Sequence, residues 1–144
     1  MKTLIITLAI LLGFTLAQAA SQEATPGESV RPAFSQALPQ MDGGHLEVKV
    51  VEVSYAPGGS SAAHSHPCPV IAYVTEGAIR SQVNDGPETV YKTGEAFYEA
   101  PNGVHRVSAN GSQTEPARLL AFFVCDHETP VTVTVPATKE GNHK

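Results

Sequence analysis

His64, Ser65 and His66 put two imidazoles two residues apart, and on an extended strand residues i and i+2 face the same side. Both rings can then approach one ion from adjacent corners of its coordination sphere. A third imidazole, His105, follows a strand-like run that ends in a carboxylate, Glu99. Imidazole suits a divalent ion such as Fe, Zn, Cu, Ni or Mn, and a site with few protein ligands leaves coordination positions open for water, substrate or dioxygen. By itself a His-x-His pair is a weak signal, since two solvent-facing histidines on a strand have the same spelling. Its value depends on the elements that hold it.

Those elements read as strands. From His45 onward, short runs rich in Val, Ile, Tyr and Phe alternate with Gly, Pro and Asn clusters, and none has the length or period of an amphipathic helix. Leu46, Val48 and Val50 alternate with Glu47 and Lys49. The adjacent Val50 and Val51 predict a shift of the apolar face before the strand continues through Val53 and Tyr55. Further strands are expected at 62–66, 70–76, 78–83, 89–92, 95–99, 104–108, 117–125 and 131–135, joined by turns such as Glu76-Gly77, Thr93-Gly94 and Pro101-Asn102-Gly103. About nine short strands without an internal repeat predict a single all-β domain, a sandwich or jelly-roll barrel that limits exposed sheet edges.

With the histidines placed among these turns, the chain resembles the cupin superfamily, whose first motif reads G-x5-H-x-H-x3-E-x6-G and whose second reads G-x5-P-x-G-x2-H-x3-N. The stretch GGSSAAHSHPCPVIAYVTEG matches the first at Gly58, His64, His66 and Gly77, and GEAFYEAPNGVHRVSAN matches the second at Gly94 and His105. The resemblance covers residues 45–135 and implies a cupin-type jelly-roll β-barrel with His64, His66 and His105 as metal ligands. It also implies a small-molecule ligand or substrate and pairing of two chains through an edge strand. The family pattern departs at two places. Its metal-binding glutamate would fall at position 70, where the chain has Val70, and Pro101, Gly103 and Asn110 each stand one residue late. Cupins with a three-histidine site include thiol and diketone dioxygenases, and others serve only as binding barrels.

Glu99 stands where the cupin pattern places apolar, inward-facing residues, and a carboxylate there is costly to bury unless paired or metal-bound. Two readings stay open: a ligand or proton-transfer group, which makes it the candidate catalytic residue, or an outward-facing glutamate on the rim. Cys68, two residues after His66, is a further candidate ligand as a thiolate, although Pro67 and Pro69 disturb the strand alternation around it. Cys68 and Cys125 can equally form a disulfide or remain two thiols. His45, His127 and His143 are expected at the surface and Glu76 in solvent. Tyr73, Phe97, Tyr98, Phe122 and Phe123 read as packing rather than a substrate cage.

Lys2, the apolar run from Thr3 to Ala17 and the small residues of Ala17-Gln18-Ala19 have the form of a secretory signal, residues 1–19, cleaved after Ala19. The run is too short to cross a bilayer as a helix. The expected product is periplasmic or secreted and off the membrane, with a flexible leader and arm over 20–44, the barrel over 45–135 and a tail over 136–144. Removing Lys2 changes the formal charge from -5 to -6. That balance, without clustered Lys and Arg, excludes nucleic acid as a partner. The absence of Gly-x-Ser-x-Gly argues against nucleophilic hydrolase chemistry. Two functions remain: a mononuclear metal-dependent oxygenase acting on a small organic molecule, or an exported module that binds a metal or small ligand without transforming it.

Overall fold

The computed structural model describes residues 27–135, so the expected signal segment, residues 20–26 of the leader and the tail lie outside the described residues. A 3-10 turn, Gly43–His45, precedes ten strands: β1 (Glu47–Tyr55), β2 (Ser60–Ser61), β3 (His64–Ser65), β4 (Val70–Glu76), β5 (Ala78–Val83), β6 (Thr89–Lys92), β7 (Ala96–Glu99), β8 (Val104–Asn110), β9 (Ala117–Cys125) and β10 (Val133–Thr134). They build two facing antiparallel sheets. One has the order β1-β9-β4-β7, and the other runs β10-β3-β8-β5-β6 with β2 also paired to β8. This is the all-β jelly roll expected from the sequence. The segment expected at 62–66 forms only the two-residue β3, with β2 as a separate short strand before it.

The four-stranded sheet is built by period-two alternation. In β4, Val70, Ala72 and Val74 point inward, and in β9 Ala117, Leu119, Ala121, Phe123 and Cys125 do the same, all buried between the sheets. The expected shift of face in β1 does not occur. Its register against β9 is unbroken from Glu47↔Cys125 to Tyr55↔Ala117, so Val51, Val53 and Tyr55 face inward while Val48 and Val50 stay outside, 60 % and 54 % exposed. The doubled valine therefore marks a strand that is apolar on both faces, not a bulge. Outside, Val48, Ile71, Tyr73 and Phe122 line a shallow groove together with Phe34 and Leu38 of the arm.

Register shifts lie elsewhere: one in β4 at Thr75, between Val74↔Leu119 and Glu76↔Arg118, and one in the other sheet. Between Gln82↔Val107 and Val83↔His105, β8 holds one extra residue, Arg106, which is exposed. One inserted residue resets the alternation, so His105 and Ser108, three apart, both turn inward. Gly77, the motif glycine between β4 and β5, has φ 66°, and a Cβ there would collide with the carbonyl oxygen of Pro116. The tight β4–β5 connection thus requires glycine.

Candidate metal centre

His64 and His105 are directly opposite each other on β3 and β8, the position at which two side chains share one face of a sheet. Their ring centroids are 5.1 Å apart, and those of His64 and His66 are 4.8 Å apart. His66 lies just past the end of β3, where its carbonyl accepts a hydrogen bond from the Asn102 N–H at 2.7 Å. The turn that leads into β8 thereby fixes the third ring. One nitrogen from each histidine falls within 4.8 Å of the other two, an arrangement that can hold a metal ion.

The remaining nitrogens decide which lone pairs face the centre. His64 Nδ1 lies 2.7 Å from the Ala62 carbonyl oxygen and His66 Nδ1 lies 2.5 Å from that of Val131. A carbonyl only accepts, so both Nδ1 atoms carry the proton and both Nε2 atoms present a lone pair. His105 is held from the other side: its Nε2 lies 2.9 Å from Ser81 Oγ, leaving Nδ1 for the centre. Burial supports the same state for His66. It lowers the pKa below 6.5, outweighing the Val131 hydrogen bond and the Glu99 charge, which raise it, and His64 and His105 lower it further. A neutral imidazole is what a metal requires.

Glu99 approaches the three histidines from the opposite sheet. It is 4 % exposed at the end of β7, which excludes the outward-facing rim position, and its Oε2 lies 3.6 Å from His66 Nε2 and 2.9 Å from His105 Nδ1. The shorter approach is not aligned as a hydrogen bond, and both Glu99 Oε2 and His105 Nδ1 are buried without a partner among the described residues. Two buried polar atoms facing each other without an aligned hydrogen bond are unfavourable unless a cation or proton lies between them. The donor set therefore fits a divalent ion. Across the β4–β7 pair Glu99 stands directly opposite Val70, the position where the cupin motif puts its glutamate. The carboxylate enters the same face one strand over.

Cys68 takes no part. It is joined to Cys125 in a disulfide, which resolves the open question of the two cysteines and removes the thiolate from the ligand candidates. The bridge connects the segment after His66 to the end of β9. Of the aromatics, Phe123 packs edge-on to His66 at 5.1 Å and lines the cavity, and Phe97 lies against His105 at 6.2 Å. His45 and His127 are exposed, Glu76 is exposed near Arg118, and His143 lies outside the described residues. Buried Asn110 ties the loops at Ala56 and Glu115 to the end of β8.

The centre opens on a cavity of about 310 Å³ lined by the three histidines, Glu99, the inward side chains of β1 and β9, and hydroxyls of Tyr55, Ser61 and Ser108. Ser81 and these hydroxyls went unnoticed in the sequence. The available signal was polar side chains in inward slots of otherwise apolar strands, as with Ser81 between Ile79 and Val83.

A two-sheet jelly roll with three imidazoles converging between the sheets defines a cupin-type barrel able to hold a metal. The chain belongs to the cupin family: the cupin domain matches residues 51–123. It is 31 % identical over 119 residues to germin-like protein subfamily 2 member 2 of Arabidopsis thaliana, covering 79 % of this chain and 52 % of that protein. The chain thus spans about half the length of the curated relatives it matches. Among solved structures, a cupin-like protein of Thermotoga maritima superposes with a TM-score of 0.55 at 26 % identity, over 65 % of this chain and 68 % of that one. Oxalate oxidase in complex with the substrate analogue glycolate gives 0.51 at 27 % identity, over 66 % and 49 %.

Proposed function

We propose that this chain is an exported cupin that holds one divalent ion through His64, His66, His105 and Glu99 and acts as a mononuclear metal-dependent oxygenase on a small organic molecule. The observation that carries the metal reading is the pair of orphaned, buried atoms, Glu99 Oε2 and His105 Nδ1, beside two Nε2 lone pairs. A bound ion would supply Lewis-acid or redox chemistry and open positions for substrate and dioxygen. The chain's own residues orient three rings through Ala62, Val131 and Ser81, exclude water with the walls of β1 and β9, and keep Glu99 where its carboxylate can also take up a proton. Likeness to oxalate oxidase supports oxidative chemistry on a small molecule.

Export is supported by the signal-like N-terminus and by the disulfide, which persists in oxidising compartments. No helix of the described residues is long and apolar enough to cross a membrane. Pairing of two copies is supported by β1, an edge strand of nine residues with exposed Val48 and Val50. A second function, capture of a metal or ligand without turnover, is favoured by one observation: among the residues lining the cavity, Glu99 is the single carboxylate able to relay a proton.

Elemental analysis of the native protein beside a His105→Ala variant tests the metal. One equivalent in the first and little in the second is expected, and a metal-free native protein overturns the reading. Dioxygen uptake after ferrous loading, with diketones, thiols and phenols offered, tests the reaction. No uptake with any of them, in a protein that does hold metal, leaves the capture reading in its place.

A further inference from the structure

The cavity has a second polar end that the metal centre does not use. Tyr55 Oη lies 2.7 Å from Ser61 Oγ and 2.8 Å from Ser108 Oγ, joining β1, β2 and β8 around one hydroxyl. Three hydroxyls bring three O–H donors, and two mutual bonds consume two of them. One O–H is therefore left over in a cluster that lines the cavity, where Tyr55 and Ser108 are 8 % and 6 % exposed. Ser61 and Ser108 are opposite each other, three residues along from the His64 and His105 pair. Because of the bulge at Arg106, Ser108 stands opposite Ser81 and His105 opposite Val83, two residues along β5, so at about 3.3 Å per residue the hydroxyls stand roughly 7 Å from the histidine row.

The walls shared by the two polar ends are apolar: Val51, Val53, Leu119, Ala121 and Phe123. No Lys or Arg is among the lining residues, and Glu99 is the one fixed charge. A divalent ion with that carboxylate leaves one positive charge to be balanced. One anionic donor neutralises it, whereas a dianion would bury an uncompensated charge against apolar walls.

We propose that Tyr55, Ser61 and Ser108 form a specificity subsite for the far end of the ligand. The ligand class is then a small ring-sized molecule with at most one negative charge, chelating at one end and bearing a hydroxyl or carbonyl oxygen at the other. This rests on the metal reading given above. A purely structural hydroxyl trio would contribute to stability yet leave ligand preference untouched, so preference is the quantity to measure.

The test uses zinc-loaded protein, in which the probe is not oxidised, and calorimetric titration with two catechols, hydroxymethylcatechol and methylcatechol, each substituted para to one ring oxygen. Wild type is expected to prefer the hydroxymethyl probe by roughly five- to tenfold, the worth of one hydrogen bond in a buried site. The Tyr55→Phe, Ser108→Ala double variant is expected to keep its zinc and bind both probes equally. Should that variant not fold, Ser61→Ala on exposed β2 must still reduce the preference. Zinc bound with no preference in wild type overturns the subsite alone, as does a preference that survives in the double variant. Failure to bind zinc overturns the metal reading and the subsite with it.

Discussion

The two sheets divide the work unequally. The six-stranded sheet holds His64, His105, Ser81 and Ser108 on inward positions, with His66 just beyond β3, and it is made of short or irregular strands: two-residue β2, β3 and β10 and the bulged β8. The four-stranded sheet contains nine-residue β1 and β9 in unbroken register and turns Val, Leu, Ala and Phe inward, with Glu99 its one inward charge. Long regular strands make a stiff apolar wall, and irregular ones let side chains three apart meet on one face. Positioning a metal thus falls to the sheet with weaker pairing, braced by hydrogen bonds to the far nitrogens of its histidines.

The four-stranded wall is most readily disrupted at the bridge that secures it. The Cys68–Cys125 disulfide closes a separation of 57 residues, for which the chain-entropy relation gives about 4 kcal/mol of stabilisation. A Cys68→Ser, Cys125→Ser variant should lose stability of that order in urea, and a loss below about 1 kcal/mol would show that the wall holds itself. In the other sheet, His105→Ala should keep its fold by circular dichroism and lose metal affinity by at least about 100-fold, because one of three imidazoles is gone. Unchanged zinc affinity by competition with a chelator would mean that the rings do not share an ion.

Glu99→Gln sharpens the contrast, because its effect should reverse sign with metal. Neutralising the carboxylate is expected to weaken metal binding by about 10- to 100-fold while stabilising the metal-free protein, which no longer buries an unpaired charge. Equal melting shifts with and without zinc would place Glu99 outside the metal's reach. Ser81→Ala should cost about tenfold in zinc affinity, since it frees the His105 ring to turn, and Ser81→Thr should restore much of it. Failure of threonine to rescue would assign the serine to packing.

How far the sequence discloses this division depends on which sheet is read. Strands β4 to β9 are legible within a residue or two because alternation and turn residues agree, and the two glycine-flanked motifs point to the three histidines that the structure brings together. Val50-Val51 misleads, since adjacent apolar residues spell either a bulge or a strand covered on both faces, and only the pairing with β9 separates them. The bulge at Arg106 carries no mark in the sequence; an exposed charged residue after an inward one looks like any strand. Glu99 is visible as an oddity, but its approach to the histidines follows from β7 lying beside β4, a non-local pairing that spacing along the chain does not contain. The disulfide is hidden for the same reason.

The smallest effect separates burial from charge at His66. In metal-free protein its folded pKa lies below 6.5, with burial the largest cause, whereas in the unfolded chain it titrates near 6.5. Above that pH both states are neutral there and the group adds no slope. As pH falls below 6.5 the unfolded chain takes up the proton first, so the folded state loses stability until its own pKa is reached, by at most about 1.4 kcal/mol per pH unit. Asp126 and exposed Glu88, whose pKa values are lowered by hydrogen-bonded partners, titrate below 3.8 and 4.5 and stay out of this window. Urea midpoints of chelator-treated protein should therefore fall between pH 7.5 and 5.5, and the fall should shrink in a His66→Gln variant. A rise instead would mean that the Glu99 carboxylate, reaching across from the four-stranded sheet, overcomes the burial that the six-stranded sheet imposes, and that without metal the two form an ion pair.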